Sequence, residues 1–550
     1  MKMTRLTKTF RAGAMSIVTL LSANAAVSPV LADSLISDID TPVVSIPITP
    51  VNGNLRSFGV LSYDTDIEGN IYGPEDFSID GSDSYLLNST SNTVLKFVDG
   101  SLEDVVELNE IPAVRIAAGD GDLFVLGSDL TISKFGSDGD GIPAELGGVI
   151  ENEAVTDFKA INGYLYLTTA EGDWGKTYKI PAGSAYGNIG NIETIDGKVL
   201  DENTTYRVEL LPEDGYSVGH ACSLTVNDSV TGQTNSALLI SDYWVIGAQL
   251  LGVDDAADTY TVKFFEMAVN SDYTTSVDET IRVVSQQGNI ESIRSLPAQY
   301  KSVSGQTKAF DSGIYELNSE ENIVEIAELA IPSQSDDSVA SYVSPLAAVS
   351  EPVVTSANSS VFSRAAMATI SRSAIIANAK VYHTAFSWSC TAANLSAMSG
   401  YTKPRCLGSA GTYQMMPYCW GGFNTTGQFV TGLSAGGRAG NINTSGPGLV
   451  SNTYGLDCSG YVSRAWGLTS KQSTSSLPNI STAISASALQ QGDILNLAGS
   501  HVVLFEKYDS GGNYVLYEAT TTSSYDRVAN TIRTASSISN YTPRKYNDVQ

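Results

Sequence analysis

Histidine is the scarcest chemistry-bearing residue in this chain of 550 residues, which holds three, alongside five cysteines. No Cys-x-x-Cys pair occurs, so zinc sites of the finger or ribbon kind are excluded, and no metal or other cofactor is expected. Basic residues are also few: 31 Lys and Arg stand against 59 Asp and Glu, for a net charge of −28. Phosphates would be repelled by so acidic a surface, so nucleic acid is not an expected partner. Beyond the N-terminus no run is long and apolar enough to cross a bilayer. An odd cysteine count in an exported chain leaves at least one thiol unpaired within the molecule. Cys390–Cys406 and Cys406–Cys419 are both open as disulfides, while Cys222 reads as a small buried hydrophobe.

What is present begins with a targeting pattern. Lys2, Arg5, Lys8 and Arg11 form a basic start, an apolar stretch runs from about Ala12 to Val30, and Val30-Leu31-Ala32 ends small and apolar. That pattern predicts a signal peptide over residues 1–32 and a secreted protein, extracellular or held at a bacterial cell wall. The remaining length exceeds what one core usually supports, so at least two domains are expected. Charge marks the boundary. Residues 33–352 carry fourteen basic and fifty-two acidic side chains, whereas residues 353–550 carry thirteen basic and seven acidic ones. This asymmetry suggests that the acidic part docks on the basic part by charge.

The acidic part reads as strands and turns. Asp83-Ser-Tyr-Leu-Leu with Thr93-Val-Leu-Lys-Phe, Asp122-Leu-Phe-Val-Leu with Thr131-Ile-Ser-Lys-Phe, and Gly163-Tyr-Leu-Tyr-Leu with Lys176-Thr-Tyr-Lys-Ile repeat one form. The period of about 40 residues lies in the range of propeller blades. Fainter copies occur at Ala237-Leu-Leu-Ile-Ser-Asp-Tyr and Ser312-Gly-Ile-Tyr-Glu-Leu. Gly73-Pro-Glu-Asp-Phe-Ser-Ile-Asp resembles the blade opening of NHL-like propellers. The expected domain is an all-β propeller over 33–331, with a pair of two-sheet sandwiches as the alternative. Gly136-Ser-Asp-Gly-Asp-Gly lacks the closing acidic residue of a calcium loop and reads as a turn. Residues 332–360, rich in Ser, Ala, Val and Pro, read as an exposed linker, and Arg364–Lys380 as a helix opening the second domain, 361–550.

The second domain carries the chemistry. In Tyr454-Gly-Leu-Asp-Cys-Ser-Gly-Tyr-Val-Ser-Arg-Ala-Trp-Gly-Leu468, Tyr461, Val462, Ala465 and Trp466 share a helical face and Gly467 ends it. Cys458 then sits in the first turn, where free N–H groups and the helix dipole favour a thiolate. His501 opens an apolar strand, Asp509-Ser-Gly-Gly-Asn513 turns it, and Tyr514–Ala519 returns, bringing Glu518 beside His501. A nucleophile, a base and an orienting carboxylate are the parts of a triad.

These segments resemble the NlpC-type peptidases, papain-like cysteine hydrolases of peptidoglycan stem peptides. The matching motifs are Asp457-Cys-Ser-Gly460, Leu489-Gln-Gln-Gly-Asp-Ile-Leu495, Gly499-Ser-His-Val and Leu516-Tyr-Glu-Ala519, over roughly residues 378–550. The resemblance implies an α+β papain-like fold and cleavage of the D-Glu–diamino acid amide by Cys458, His501 and Glu518. Glu518 departs from the family's commoner His, Asn or Gln. Pro417-Tyr-Cys-Trp-Gly-Gly422 is similar to the family's upstream Tyr-x-x-Gly-Gly element, which implies a positioning role for Tyr418, although Tyr418 precedes Cys458 by forty residues instead of about a dozen. An N-acetylmuramoyl-alanine amidase, an acyltransferase, or a non-catalytic wall-binding propeller adhesin are the other functions open. The propeller's expected role is to hold a wall or protein ligand. His383 and Trp388 line the cleft or pack in the core, Asp493 serves a turn, His220 is a surface or structural residue, and Arg527 and Arg533 grip a substrate carboxylate or face solvent.

Overall fold

The computed structural model describes residues 41–47, 64–65, 71–72, 74–108, 111–136, 144–146, 150, 154–182, 192–296, 306–319, 323–332, 339, 342–349, 369–445, 448–521 and 525–550. The predicted signal peptide (1–32), most of the 332–360 linker, the turn after Gly136 and the start of the Arg364–Lys380 helix lie outside them.

The first region is propeller-like. Pro74–Asp80, Asp83–Asn88, Thr93–Val98 and Ser101–Glu107 form a four-stranded antiparallel meander. The pattern repeats at 113–145 and at 155–196. A continuous seven-stranded sheet follows, from Lys198–Val199 to Ile290–Leu296. Its long strand Thr234–Asp254 pairs with Gly219–Asp228 through its first half and with Thr259–Val269 through its second. The last sheet, Gln306–Phe310, Gly313–Ser319 and Ile323–Glu328, takes Thr41–Pro47 as its outer strand and lies against the first. Consecutive meanders of this kind differ from the two-sheet sandwiches that were the alternative.

The 40-residue period has a visible cause. Asp76, in the blade-opening motif, accepts the Ile116 N–H at 2.8 Å, and Ser78 accepts that of Ala118 at 2.9 Å, each exactly one repeat on. Lys159 reaches the Val199 carbonyl, 40 positions further, at 3.0 Å. Polar side chains on each inner strand thus satisfy the backbone of the next sheet, groups that would otherwise be buried without partners.

The second region is built on a six-stranded antiparallel sheet. In chain order its strands are β1 (Ser481–Ala483), β2 (Ile494–Leu497), β3 (His501–Tyr508), β4 (Tyr514–Thr520), β5 (Arg527–Arg533) and β6 (Thr542–Tyr546), arranged β1-β6-β2-β3-β4-β5. Three helices accompany it: α1 (Arg372–Tyr382), α2 (Thr426–Ser434) and α3 (Cys458–Ala465). Of the expected Arg364–Lys380 helix, the described residues 369–371 are not helical; α1 starts at Arg372 after the Ser371 cap and runs on to Tyr382.

Period-two alternation divides this sheet between two cores. Val502, Leu504, Tyr517 and Ala519 pack with residues of α1 and α3. Val503, Phe505, Leu516 and Tyr514 pack instead with Val218, Ile246, Phe265 and Met267 of the propeller-like region. The two regions share this core and belong to one compact unit, 39–550. What joins them is apolar burial and backbone hydrogen bonds such as Ser217 N–H to Ser487 O at 2.8 Å and Ala248 N–H to Ser510 O at 3.0 Å. Side chains of the basic part add to these, Lys507 on the Ala170 and Gly172 carbonyls and Arg527 on Ser128. Among the described residues no ion pair is found between the regions, although composition suggested complementary charge. Part of the expected linker is anchored as well: Leu346 is buried, and Tyr342 and Ser344 both bond Asp278.

Candidate functional site

Two sequence motifs interlock at the start of α3. Asp457 is its N-cap: Oδ1 accepts from Gly460 N–H at 2.7 Å, and Oδ2 accepts from Gly421 N–H at 3.0 Å and from Lys471. The glycine of Asp-Cys-Ser-Gly has a steric reason, because a Cβ on Gly460 would stand 2.1 Å from the Gly422 carbonyl. Cys458 follows the cap as the first residue of the helix, 4% exposed.

The thirty-nine residues between Tyr418 and Cys458 loop out and return. Cys419 N–H bonds the Leu456 carbonyl at 2.9 Å, and Leu456 N–H bonds that of Pro417 at 3.3 Å. Tyr418 is fully buried in the same core cluster as Cys458. The stretched spacing therefore does not part the two motifs, since the inserted chain leaves and re-enters beside the same backbone.

His501 and Glu518 meet as expected. Nε2 of His501 lies 2.8 Å from Oε2 of Glu518, and both side chains are buried. Glu518 holds further partners that the sequence reading did not assign to it. Arg533 donates from Nε to Oε1 at 3.0 Å and from Nη2 to Oε2 at 2.6 Å, and Thr531 Oγ1 donates to Oε1 at 2.6 Å. Leu516 pairs with Thr531 and Tyr514 with Arg533 across β4 and β5, so alternation sets these side chains on the face of Glu518. Burial alone would push the Glu518 carboxyl up; the Arg533 charge and the hydrogen bond from His501 overcome it and hold the group below the ordinary carboxylate range.

The thiol and imidazole ends of the site are tied through one segment. Lys471 holds Asp457, next to Cys458, and three residues on Thr474 accepts Gly499 N–H at 3.1 Å, two residues before His501. Helix α3 packs on β3 and β4 against Val502, Leu504, Tyr517 and Ala519, whereas His501 and Glu518 alternate with Val503, Phe505 and Leu516 and share the other face.

Other expected residues have structural partners. Arg533 belongs to Glu518, and Arg527 donates to Ser128 Oγ at 2.9 Å, so each has a protein partner where substrate or solvent was expected. Asp493 pairs with Arg372 at 2.8 Å and accepts Gln490 N–H, consistent with a turn role. Trp388 donates to the Met415 carbonyl and stacks on Tyr413, within the core. His383 is buried edge-on to Tyr517. His220 bonds Glu213 at 2.5 Å beside Trp244. No disulfide joins the five cysteines, so neither pairing left open occurs. Burial pushes the thiols of Cys222, Cys406 and Cys419 up to about 12. No cluster of His, Cys, Asp and Glu able to hold a metal occurs among the described residues, and none of their helices is long and apolar enough to cross a membrane.

No family model matches the chain, and no curated protein matches it. Solved structures with some likeness include BamB from Moraxella catarrhalis (14% identity, 53% of this chain and 100% of that one, TM-score 0.29). The WD40 β-propeller domain of Doa1 has 14% identity, 55% and 98% coverage and a TM-score of 0.27. Streptogramin B lyase has 12% identity, 49% and 97% coverage and a TM-score of 0.27. At these scores the likeness carries no function to this chain; the propeller-like assignment stands on the strand pairing described above.

Proposed function

We propose that the chain is a secreted cysteine hydrolase of peptidoglycan stem peptides, with a papain-like arrangement in residues 361–550 resembling the NlpC-type peptidases. The observation behind this reading is the buried His501–Glu518 pair on β3 and β4, the strands that also carry the Cys458 helix. Alternation sets the pair with Val503, Phe505 and Leu516, so the proton path to Cys458 runs round the start of β3 and not across the face that α3 covers. A carboxylate kept ionised by Arg533 accepts Nε2–H of His501, which leaves Nδ1 as the ring nitrogen that exchanges a proton with a thiol. Cys458 attacks the carbonyl carbon as thiolate, and backbone N–H groups at the start of α3 stabilise the oxyanion. His501 protonates the leaving amine, then deprotonates the water that releases the acyl group. Tyr418 is a positioning residue beside this start. The expected bond is D-Glu–diamino acid; the amidase and acyltransferase alternatives leave different termini or adducts, which product mass spectrometry separates.

A second reading is a non-catalytic, propeller-based binding protein, and it too has an observation in its favour. Cys458, His501, Glu518 and Tyr418 are each no more than 4% exposed, so substrate needs an opening to reach them. Purified muropeptides incubated with the wild type and Cys458→Ala decide between the two. The hydrolase reading expects turnover to fall by a factor of roughly 10³ or more on losing the nucleophile. Equal turnover by both, or none from a folded wild type, would defeat it.

A further inference from the structure

The tip of the β3–β4 hairpin, Asp509–Asn513, enters the propeller-like region. Gly511 forms a β-bridge with Gly247, and the Ser510 carbonyl accepts Ala248 N–H. Beneath this tip is a cavity of about 80 Å³ walled by both regions. That is several times the ~10–15 Å³ one water needs on this measure.

Charge in its wall is unevenly matched. Lys263 is paired with Glu279 at 2.8 Å and Glu316 at 3.6 Å, and Lys308 with Asp76 at 2.6 Å. Asp509 is committed to its own turn, accepting from Gly511 N–H and Asn513 N–H, both at 2.8 Å, and from Asn513 Nδ2 at 3.0 Å. Asp157 accepts Phe158 N–H at 2.9 Å and lies 3.6 Å from Lys159.

Two cations of the wall remain under-satisfied. Lys198 is only 8% exposed, and its ammonium has no hydrogen bond or ion pair among the described residues. It points at the hairpin tip, since a Cβ on Gly511 would stand 2.9 Å from Lys198 Nζ. Arg115 gives its Nη atoms to the Val114 and Val155 carbonyls, while its buried Nε has no partner. An ammonium with no hydrogen bond in a confined cavity is unfavourable even with the Asp509 carboxylate nearby, Oδ1 standing 3.4 Å from the same Gly511 Cβ position. The unsatisfied Arg115 Nε adds a second donor to the wall.

We propose that this cavity is a binding site for one small inorganic oxyanion of the phosphate class, held by Lys198 and Arg115 under the hairpin tip. Such an anion supplies acceptors to both cations, and its charge offsets the ammonium. The site lies at the far end of the hairpin from His501 and Glu518 and does not depend on the proposed hydrolase chemistry.

The test uses the full chain, with inorganic phosphate as the probe at constant ionic strength against chloride. Phosphate is expected to raise Tm saturably and, by titration calorimetry, to bind once per chain. Lys198→Met is expected to abolish the rise, and Lys198→Arg to retain it. A wild type with no saturable rise overturns the proposal, whether the cavity then holds water or nothing. An equal rise in Lys198→Met overturns it too, as does a larger shift from acetate than from phosphate. Should Lys198→Met not fold, wild-type stoichiometry decides: one phosphate is expected, and none overturns the site.

Discussion

Three buried cations of the propeller-like region face carboxylates at close range: Lys263 between Glu279 and Glu316, Arg282 on Glu266, Lys308 on Asp76. In the C-terminal sheet the arrangement is inverted, and one carboxylate, Glu518, gathers Arg533, Thr531 and a histidine. The difference matters because Lys and Arg keep their protons at neutral pH whereas an imidazole does not. The propeller pairs hold strands in register with fixed charge. The Glu518 cluster is balanced by Arg533 when His501 is neutral, and it gains a positive charge when His501 takes a proton. An imidazole can give up and take back a proton, as a hydrolytic cycle requires, whereas the fixed charges of Lys and Arg cannot.

The sharpest way to break the comparison is to remove the shared carboxylate. Glu518→Ala leaves the Arg533 guanidinium buried without its partner, so a stability loss of about 3–5 kcal/mol is expected in chemical denaturation. A double variant, Glu518→Gln with Arg533→Met, removes both charges and is expected to recover most of that loss. Its muropeptide turnover is expected to stay low, because a carboxamide no longer stabilises the imidazolium. Recovery of activity together with stability would make the cluster a fixed ion pair like those of the propeller.

The junction offers a second comparison, between a tethered pair of domains and one cooperative body. Gly247 and Gly512 are nearly in contact: a Cβ on Gly247 would stand 2.0 Å from Gly512 N, and one on Gly512, whose φ is +80°, 2.6 Å from the Phe265 ring. Gly247→Ala must force the hairpin off the propeller, at a cost of roughly 1–3 kcal/mol. Calorimetry of the wild type is expected to give one transition, and of this variant a lower or divided one. Two independent transitions in the wild type would mean that the shared core does not couple the regions.

This junction was the least legible feature of the sequence. The blade period was readable because the strand pairs that start near 83, 122 and 163 share one pattern, and contacts such as Asp76 to Ile116 and Ser78 to Ala118 span the same forty positions. The return of the hairpin was readable from its turn residues, but the face of Glu518 was not, because a bulge between Phe505 and Lys507 shifts the register by one residue and brings Glu518 to the side of His501. Charge composition pointed toward contacts such as those of Lys507 and Arg527, but not toward the apolar core between the regions. Net charge reports the solvated surface, while that core is made by Val503, Phe505 and Leu516, residues that look like any strand interior. Arg533 was visible as a basic residue two positions after Thr531, but its assignment to Glu518 needed the pairing of β4 with β5. Tyr418 looked doubtful because sequence distance was taken for spatial distance, and the insertion closes on itself.

The smallest effect separates the two buried histidines of the C-terminal region. His383 has an Nδ1 with no partner among the described residues. Burial, reinforced by the charges of Arg527 and Lys380, pushes its pKa down to about 3. The unfolded chain then takes up a proton below about pH 6.5 that the folded chain refuses, so this group's contribution falls with pH through the window from 6.5 to about 3. At pH 5 the deficit is about 2 kcal/mol. Glu75 acts in the opposite sense over part of that window: burial raises its carboxyl to about 7, so its folded form holds a proton that is lost as pH rises from 4.5 to about 7. Glu518, with its depressed pKa, weakens the fold only below its unfolded value of 4.5. The wild-type pH profile alone therefore mixes these with other shifted carboxyls, Asp493 and Asp526 among them, and the difference between wild type and His383→Leu between pH 4.5 and 6.5 isolates one. That difference is expected to shift in favour of the variant by about 2 kcal/mol on going from pH 7 to pH 5. A flat difference would mean that His383 takes its proton in the folded state, and that solvent reaches the core between α1 and β4.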